Sequence, residues 1–191
     1  MPPKRPVIVI DLDGTILGRN ALDWFRLYLW RSNKAGKPFL QATETLKELS
    51  KRYCIVALTA RAELGKANTR RWLDANGLEF VELYLSSRFH FREPTRAAFK
   101  TAVLARLKSE GYDLRYGMGD RPSDFVAYIK NGMYPVVVLR PKQAGIVKKF
   151  VALASRLELG PGSYQVVFER PDAPAWPRIA DFIKGREKGR G

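Results

Sequence analysis

Two carboxylates, Asp11 and Asp13, follow directly on the apolar run Val7–Ile10. A β-branched run of this kind that soon meets a glycine predicts a buried parallel strand. Residues i and i+2 of an extended chain point to the same side, so both carboxylates are expected to enter one pocket. Two like charges placed together are unfavourable unless a cation or proton-transfer chemistry requires them. This segment therefore predicts a metal-binding and acid–base site.

Further polar residues follow two other predicted strands. Thr59 comes directly after a second apolar run, and Asp120 follows the strand predicted over 114–118. In open α/β sheets, ligands bind beyond the carboxyl ends of the strands, so we expect these groups to share one rim with the first pair. Asp124 either belongs to the same site or caps the helix that follows it.

A cation is expected on the helix before this strand. Lys100 and Arg96 both lie on the helix predicted over 95–110. A positive charge beside paired carboxylates offsets their repulsion. The sequence favours Lys100 for this role, with Arg96 as its competitor, and a solvated surface charge is the ordinary alternative for both.

The remaining pattern alternates strands with helices. The predicted strands cover 7–12, 53–58, 80–85, 114–118 and 135–139. The predicted helices cover 22–31, 39–51, 62–76, 95–110 and 124–130. Such alternation predicts right-handed βαβ crossovers and a parallel sheet between helices, which is a three-layer αβα, Rossmann-like α/β fold.

The C-terminal region has a weaker pattern. It predicts a helix over 142–159, a late strand over 164–168 and a final helix over 174–184. The basic, glycine-rich residues 184–191 predict a disordered tail.

Composition limits the partners and the compartment. The 191 residues include 34 Lys and Arg against 19 Asp and Glu, a net charge of +15. This excess either favours polyanionic partners, such as nucleic acid, anionic lipid or a phosphorylated substrate, or is a solvated basic surface. The lone Cys54 indicates a reducing compartment. No run approaches the about 20 apolar residues of a membrane span, so we expect a cytoplasmic protein without a transmembrane segment.

Over Val7–Leu139, the ordered motifs resemble those of the haloacid dehalogenase-like (HAD) superfamily of phosphotransferases. The motifs are Asp11-Leu12-Asp13-Gly14-Thr15, then Thr59, then Gly119-Asp120-Arg121-Pro122-Ser123-Asp124. A narrower similarity to lipin-type phosphatidate phosphatases is carried by the last of these motifs together with Leu58-Thr59-Ala60-Arg61-Ala62, Thr69-Arg70, Leu85-Ser86-Ser87 and Phe99-Lys100. In size and simple layout the chain also resembles the phosphatase domain of polynucleotide kinases. The resemblance implies a HAD-like domain over 1–160, with a C-terminal strand–helix extension and a flexible tail over 161–191.

The resemblance also implies catalytic roles. Asp11 is expected to attack phosphorus and form an aspartyl-phosphate. Asp13 is expected to protonate the leaving oxygen and then activate water. Thr59 is expected to hydrogen-bond a phosphoryl oxygen, and Lys100 to offset negative charge.

The same resemblance implies a Mg²⁺ site and a substrate-binding set. Mg²⁺ is expected to be held by Asp11, the backbone carbonyl of Asp13 and Asp120, with Asp124 acting directly or through water. The residues expected to contact substrate are Thr59, Ala60, Arg61 and Arg121. For the two arginines, surface charge is the competing interpretation.

The intervals between the motifs leave room only for a minimal cap. In this superfamily, a missing cap implies an open site, which suits a bulky or macromolecular substrate. The aromatic residues over 22–31 either pack on the core or form a small flap. The expected activity is Mg²⁺-dependent hydrolysis of a phosphomonoester, and the substrate is a nucleotide or nucleic-acid end, a phospholipid or a small metabolite.

Two other classes of protein compete with an enzyme. One is a non-catalytic HAD-like module that binds anionic lipid or nucleic acid. Asp13 argues against it, because a pure binder has no need of a second carboxylate. The other is a phosphorylated-Asp receiver, which places its acidic pair apart from its phospho-accepting Asp.

Overall fold

The computed structural model describes residues 5–18, 36–79, 81–88, 90 and 92–189. The strands are β1 (Val7–Ile10), β2 (Cys54–Ala62), β3 (Glu82–Ser86), β4 (Leu114–Gly119), β5 (Tyr134–Leu139) and β6 (Gln165–Phe168). The helices are α1 (Ala42–Ser50), α2 (Lys66–Ala75), α3 (Glu93–Ser109), α4 (Pro122–Lys130), α5 (Val147–Arg156) and α6 (Ala175–Lys188). Two 3₁₀ helices, Glu63–Gly65 and Pro141–Ile146, precede α2 and α5.

The strands form one six-stranded sheet in the order β3-β2-β1-β4-β5-β6. Every neighbouring pair is parallel. β1 lies between β2 and β4, and all of its residues are fully buried. A strand covered on both faces is apolar along its whole length, which explains the run Val7–Ile10. Because the strands share one direction, the loops that follow β1 and β4 meet at one edge of the sheet.

Helices cover both faces of this sheet. Ile8 and Ile10 of β1 pack in one cluster with α1, α2 and α6. Val7 and Val9 face the opposite side and pack with α3 and α4. Phe150 of α5 belongs to a smaller cluster with residues of β5 and α4. The predicted three-layer αβα arrangement is therefore confirmed.

The connection between β2 and α3 is short. Its described residues form only a 3₁₀ turn, α2 and β3, so no additional domain is inserted there. The predicted aromatic helix over 22–31 lies outside the described residues.

β2 is longer than the sequence predicts. Its pairing with β3 is interrupted after Leu58 and resumes where Ala62 pairs with Ser86. The strand was expected to stop at Leu58 because the apolar run ends there, but renewed pairing extends it. Thr59, Ala60 and Arg61 thus lie within β2 rather than beyond it.

The helix predicted over 142–159 is also different. The segment forms the 3₁₀ helix Pro141–Ile146 and then α5. Gly145 is a poor helix former, and the Gln143 side chain caps the first segment by accepting the backbone N–H of Arg140 at 3.0 Å.

The residues predicted to be a disordered tail are helical as far as Lys188. The Arg186 guanidinium stacks on Tyr134, 3.9 Å from the ring centroid. The Tyr116 hydroxyl donates a hydrogen bond to Glu187 at 2.6 Å. These contacts fix the last turns of α6, and composition alone does not indicate them.

β6 extends the same sheet by pairing with β5. The boundary between 1–160 and 161–191 stays a prediction. None of the helices in the described ranges is both long enough and apolar enough to cross a bilayer.

Candidate active site

The loop after β1 brings the first two motifs to the end of β4. The backbone N–H of Asp11 donates to the carbonyl of Met118 at 2.8 Å. Gly14 has a φ of +89°, and a Cβ atom there would lie 2.2 Å from Oδ2 of Asp120. Only glycine allows both the backbone conformation and this close approach. Gly14 therefore lets the loop after β1 pack directly against Asp120.

Three buried carboxylates meet at this edge. Each of Asp11, Asp120 and Asp124 offers an oxygen atom, and these atoms lie within 4.8 Å of one another. The three residues are at most 3% exposed. An all-oxygen donor set suits Mg²⁺ or another hard divalent cation. The predicted acidic residues of two distant motifs thus converge, and they fit a metal ion.

Lys100 is the cation of this cluster. Its Nζ donates to Oδ1 of Asp11 at 2.7 Å and to Oδ1 of Asp124 at 2.6 Å, and its side chain is 2% exposed. Arg96 instead contacts Glu93 and the carbonyl of His90. Of the two basic residues that the sequence left in competition, the geometry places Lys100 among the carboxylates.

Burial and charge set the protonation of this pair. Burial raises the pKa of Asp11 to about 6, although the Lys100 ammonium opposes that shift. Burial lowers the pKa of Lys100, but Asp11 and Asp124 more than offset this and leave the pKa above its usual value. Lys100 is therefore charged at neutral pH, and Asp11 ionises close to neutrality.

Asp13 pairs with Arg61 rather than with the acidic cluster. The guanidinium donates to both carboxylate oxygens, from Nε at 2.9 Å and from Nη2 at 2.7 Å. Nη1 of Arg61 also donates to the Thr69 hydroxyl at 3.2 Å. A fork-to-fork contact of this kind fixes the plane of a carboxylate. Arg61, which was predicted to contact substrate, lies in the site as the partner of Asp13.

Thr59 lies in the same part of β2. It is 1% exposed, and its hydroxyl accepts the backbone N–H of Arg61 at 3.3 Å. Its neighbour Ala60 is partly exposed. The roles predicted for these two residues toward substrate stay predictions.

Asp124 both caps α4 and contacts the cation, so its two alternative interpretations are compatible. Its Oδ2 accepts the backbone N–H of Arg121 at 3.1 Å, while Oδ1 accepts from Lys100. The capping contact begins α4 at the point where β4 ends. The position of the Lys100 ammonium is thus linked to the first turn of α4.

Two residues near the site were not singled out from the sequence. Glu93 accepts hydrogen bonds from the Arg121 guanidinium and from the backbone N–H of Ser123. Gln143 donates to Oδ2 of Asp120 at 3.3 Å. Glu93 stands directly before Pro94 at the start of a predicted helix, which was a usable signal, whereas no local pattern indicated Gln143.

Arg121 therefore points toward Glu93. Its predicted contact with substrate stays a prediction. The neighbouring Ser123 hydroxyl and the Thr15 hydroxyl are buried, and neither has a hydrogen-bond partner among the described residues. Buried hydroxyls of this kind are uncommon unless a ligand or water completes them.

No protein-family model and no curated protein matches the chain. Several solved structures resemble it. A hydrolase of the haloacid dehalogenase-like family from Streptococcus pneumoniae is 13% identical, with a TM-score of 0.51, and the match covers 70% of this chain and 84% of that one. The class C acid phosphatase from Bacillus anthracis is 17% identical, with a TM-score of 0.51, over 96% of this chain and 79% of that one.

The HAD domain of the effector protein Lem4 from Legionella pneumophila, as an inactive mutant, is 14% identical, with a TM-score of 0.50. This match covers 94% of this chain and 92% of that one. At such identities the similarity establishes architecture. With the six-stranded parallel sheet and its strand order, it shows that this chain has the fold of the haloacid dehalogenase-like hydrolases.

Proposed function

We propose that the chain is a divalent-metal-dependent phosphomonoester hydrolase with Asp11 as its nucleophile. One observation carries the proposal: the Asp11 carboxylate is buried beside Lys100 and two further carboxylates at the ligand-binding edge of the sheet. A cluster of like charges in this position is costly unless a cation binds there. The shared fold with HAD-like hydrolases supports the same chemistry.

A magnesium ion fits the donor set. Asp11, Asp120 and the backbone carbonyl of Asp13 would hold it. Asp124 belongs to the same cluster and also accepts from Lys100, so it would support the ion directly or through water and hold Lys100 in place. When bound, the ion would supply positive charge that offsets the carboxylates and the incoming phosphate.

The chain's own residues account for the two chemical steps. A carboxylate oxygen of Asp11 bonds to phosphorus, and the bond from phosphorus to the alcohol oxygen breaks. Asp13 exchanges one of its two Arg61 contacts for a proton, and it gives this proton to that oxygen as the alcohol leaves. In the second step Asp13 takes a proton from water as the water oxygen bonds to phosphorus, which releases phosphate and restores Asp11.

Arg61 and Lys100 serve these steps through their contacts. The bidentate contact with Arg61 holds the Asp13 carboxyl group in one orientation. Lys100 lies against the nucleophile and offsets charge that gathers there as the phosphoryl group approaches. Both roles use contacts between residues that the structure describes.

Hydrolysis of an aryl phosphate tests the proposal. We expect the wild-type chain to turn over many times in Mg²⁺ and to lose activity in EDTA. The Asp11→Asn variant removes the nucleophile and keeps its size, so activity should fall by about 1,000-fold or more.

Asp113→Asn is the matched control, since Asp113 is exposed and contacts Arg115 away from the cluster. It should keep wild-type activity. Hydrolysis that persists in Asp11→Asn would exclude the proposed nucleophile. A wild-type chain that takes up phosphate once without turnover would indicate a receiver, and one that never reacts would indicate a non-catalytic module.

A further inference from the structure

An open pocket of about 600 Å³ lies where β5 and β6 end. This volume is in the range of small-molecule sites, about 300–1,000 Å³. Its lining is mixed: apolar and charged side chains contribute in equal number, and most of the charged ones are basic. The lining residues are Phe39, Leu40, Arg140, Pro141, Lys142, Glu169, Arg170 and Pro171. The mechanism above uses none of them.

Hydrogen bonds connect one wall of the pocket to Asp120. Arg140 follows β5, the strand next to the one that carries Asp120. Its Nε donates to Oε1 of Gln143 at 3.0 Å, and Nε2 of Gln143 donates to Asp120 at 3.3 Å. A single side chain therefore separates the Arg140 guanidinium from a candidate metal ligand.

The opposite wall is tied to the loop after β1. The backbone N–H of Phe39 donates to the carbonyl of Ile16 at 2.7 Å. Isolated bridges link Asp13 to Leu17 and Leu17 to Pro38. Both walls are thus connected to the two acidic motifs, and the pocket opens at the same edge of the sheet as the proposed nucleophile.

The charge of the pocket is positive. Arg140, Lys142 and Arg170 line it against one carboxylate, Glu169. One oxygen of the Glu169 carboxylate already accepts a hydrogen bond, from the backbone N–H of Ala175 at 2.9 Å. Within the described ranges, Lys142 and Arg170 form no ion pair with a carboxylate. Two cations at an apolar surface without carboxylate partners favour an anionic ligand that also has a flat or apolar body.

We propose that this pocket binds the terminal nucleotide of a single-stranded nucleic acid whose end phosphate is hydrolysed at Asp11. The proposal rests on the proposed function and names its substrate class. The base and sugar would contact the apolar wall with Phe39, and the next phosphodiester would contact Lys142 and Arg170. Stacking on an aromatic side chain and cations along the backbone are the usual elements of single-strand binding.

The lining favours a nucleotide over a phospholipid. Two acyl chains need a continuous apolar surface, whereas Arg140, Lys142, Glu169 and Arg170 interrupt the apolar side chains of this pocket. The net charge of +15 further suits a polyanion that continues beyond the pocket.

The test measures binding separately from catalysis. The probe is a short single-stranded oligonucleotide with a fluorophore at one end and a phosphomonoester at the other, in 3′- and 5′-phosphorylated forms. Fluorescence anisotropy is measured in Mg²⁺ on the Asp11→Asn background, so the probe stays intact. The pocket variant is Lys142→Ala with Arg170→Ala, and the control is Lys148→Ala with Lys149→Ala on exposed positions of α5.

We expect the pocket variant to weaken binding about tenfold at 0.1 M salt, and the control to change it by less than about threefold. Loss of two phosphate contacts should also reduce the slope of log K against log salt concentration by about 1.4 for a single strand. Equal losses in the two variants, or no binding of either probe to the parent protein, would overturn the proposal.

Vesicles containing phosphatidate form the second arm. A pocket variant that loses vesicle binding but keeps oligonucleotide binding would also overturn the proposal, because the pocket would then serve a lipid. Aryl phosphate hydrolysis separates this proposal from the proposed function. A wild-type chain that does not hydrolyse an aryl phosphate would contradict the proposed function whatever the anisotropy shows.

Discussion

At the scale of single residues, the Arg61–Asp13 pair is the feature that the sequence indicated least well. Both residues were candidates, but for different tasks. Arg61 was expected to contact phosphate because it is basic and lies next to a motif. Its side chain is only 3% exposed and binds Asp13 through two nitrogen atoms. Sequence spacing cannot reveal such a pair, because the partners are far apart along the chain.

This pair leads to a prediction that depends on the leaving group. In Arg61→Ala, Asp13 loses its orientation and protonates the leaving oxygen less well. Hydrolysis of an alkyl phosphate should fall about 100-fold or more, because its leaving group needs a proton. A nitrophenyl phosphate should lose less than about tenfold, because its leaving group departs without one.

The measurement is kcat/KM for both substrates in Arg61→Ala and Arg61→Lys, because kcat/KM reports the step in which the leaving group departs and not the later hydrolysis of the intermediate. Lys should recover part of the alkyl phosphate activity, since it keeps the charge but not the fork. Arg71→Ala, an exposed position on the same helix–strand unit, serves as the control. Equal losses with both substrates would show that Arg61 acts only on the fold.

At the scale of elements, the loop after β1 depends on Gly14. The sequence predicted the strand, the turn and the acidic pair, because an apolar run followed by Asp and Gly is a local pattern. It did not predict that the glycine faces Asp120, a contact made only when β1 and β4 are neighbours. Local patterns thus give elements, and the sheet order decides which loops meet.

Gly14→Ala should destabilise the protein by more than the backbone strain at this position alone would. At φ +89° an alanine is strained, and its Cβ would also collide with Asp120. Gly162 offers a matched control, since its φ is +77° and a Cβ atom added there would meet no described atom within 4 Å. Each alanine should cost roughly 1 kcal/mol or more for the backbone strain.

Urea unfolding measures the free energy of unfolding of each variant, and Mg²⁺ titration measures the affinity of each variant for the ion. Gly14→Ala should lose more stability than Gly162→Ala and should bind Mg²⁺ at least about tenfold more weakly. If both variants bind Mg²⁺ like the wild type, then Gly14 does not hold Asp120 in a metal site.

At the scale of the whole molecule, the alternation of strand and helix patterns in the sequence was enough to predict the architecture. Largely apolar strands that alternate with helices leave few arrangements other than a covered parallel sheet, and the similarity to solved HAD-like structures confirms this architecture. The C-terminal end was predicted less well. Composition indicated disorder after Lys184, but Arg186 and Glu187 contact aromatic residues of β4 and β5. Such contacts exist only in the folded molecule.

The same distinction applies to the candidate site. The order of the motifs along the chain predicted that Asp11 and Asp120 meet at one edge of the sheet, whereas it left Arg96 in competition with Lys100. The contacts of Glu93 and Gln143 with the site form only when the neighbouring helices are packed. Most residues with proposed chemical roles were therefore predictable, whereas the contacts that hold them in place were not.

Trapping the covalent intermediate tests the central claim most directly. The chain is mixed with a phosphomonoester labelled in its phosphate, quenched in acid within one turnover, and digested for peptide mapping. The label should be on the peptide that contains Asp11, should be released by hydroxylamine as expected for an acyl phosphate, and should be absent from Asp11→Asn. Full turnover with no labelled peptide, or with the label on any other residue, would contradict the account.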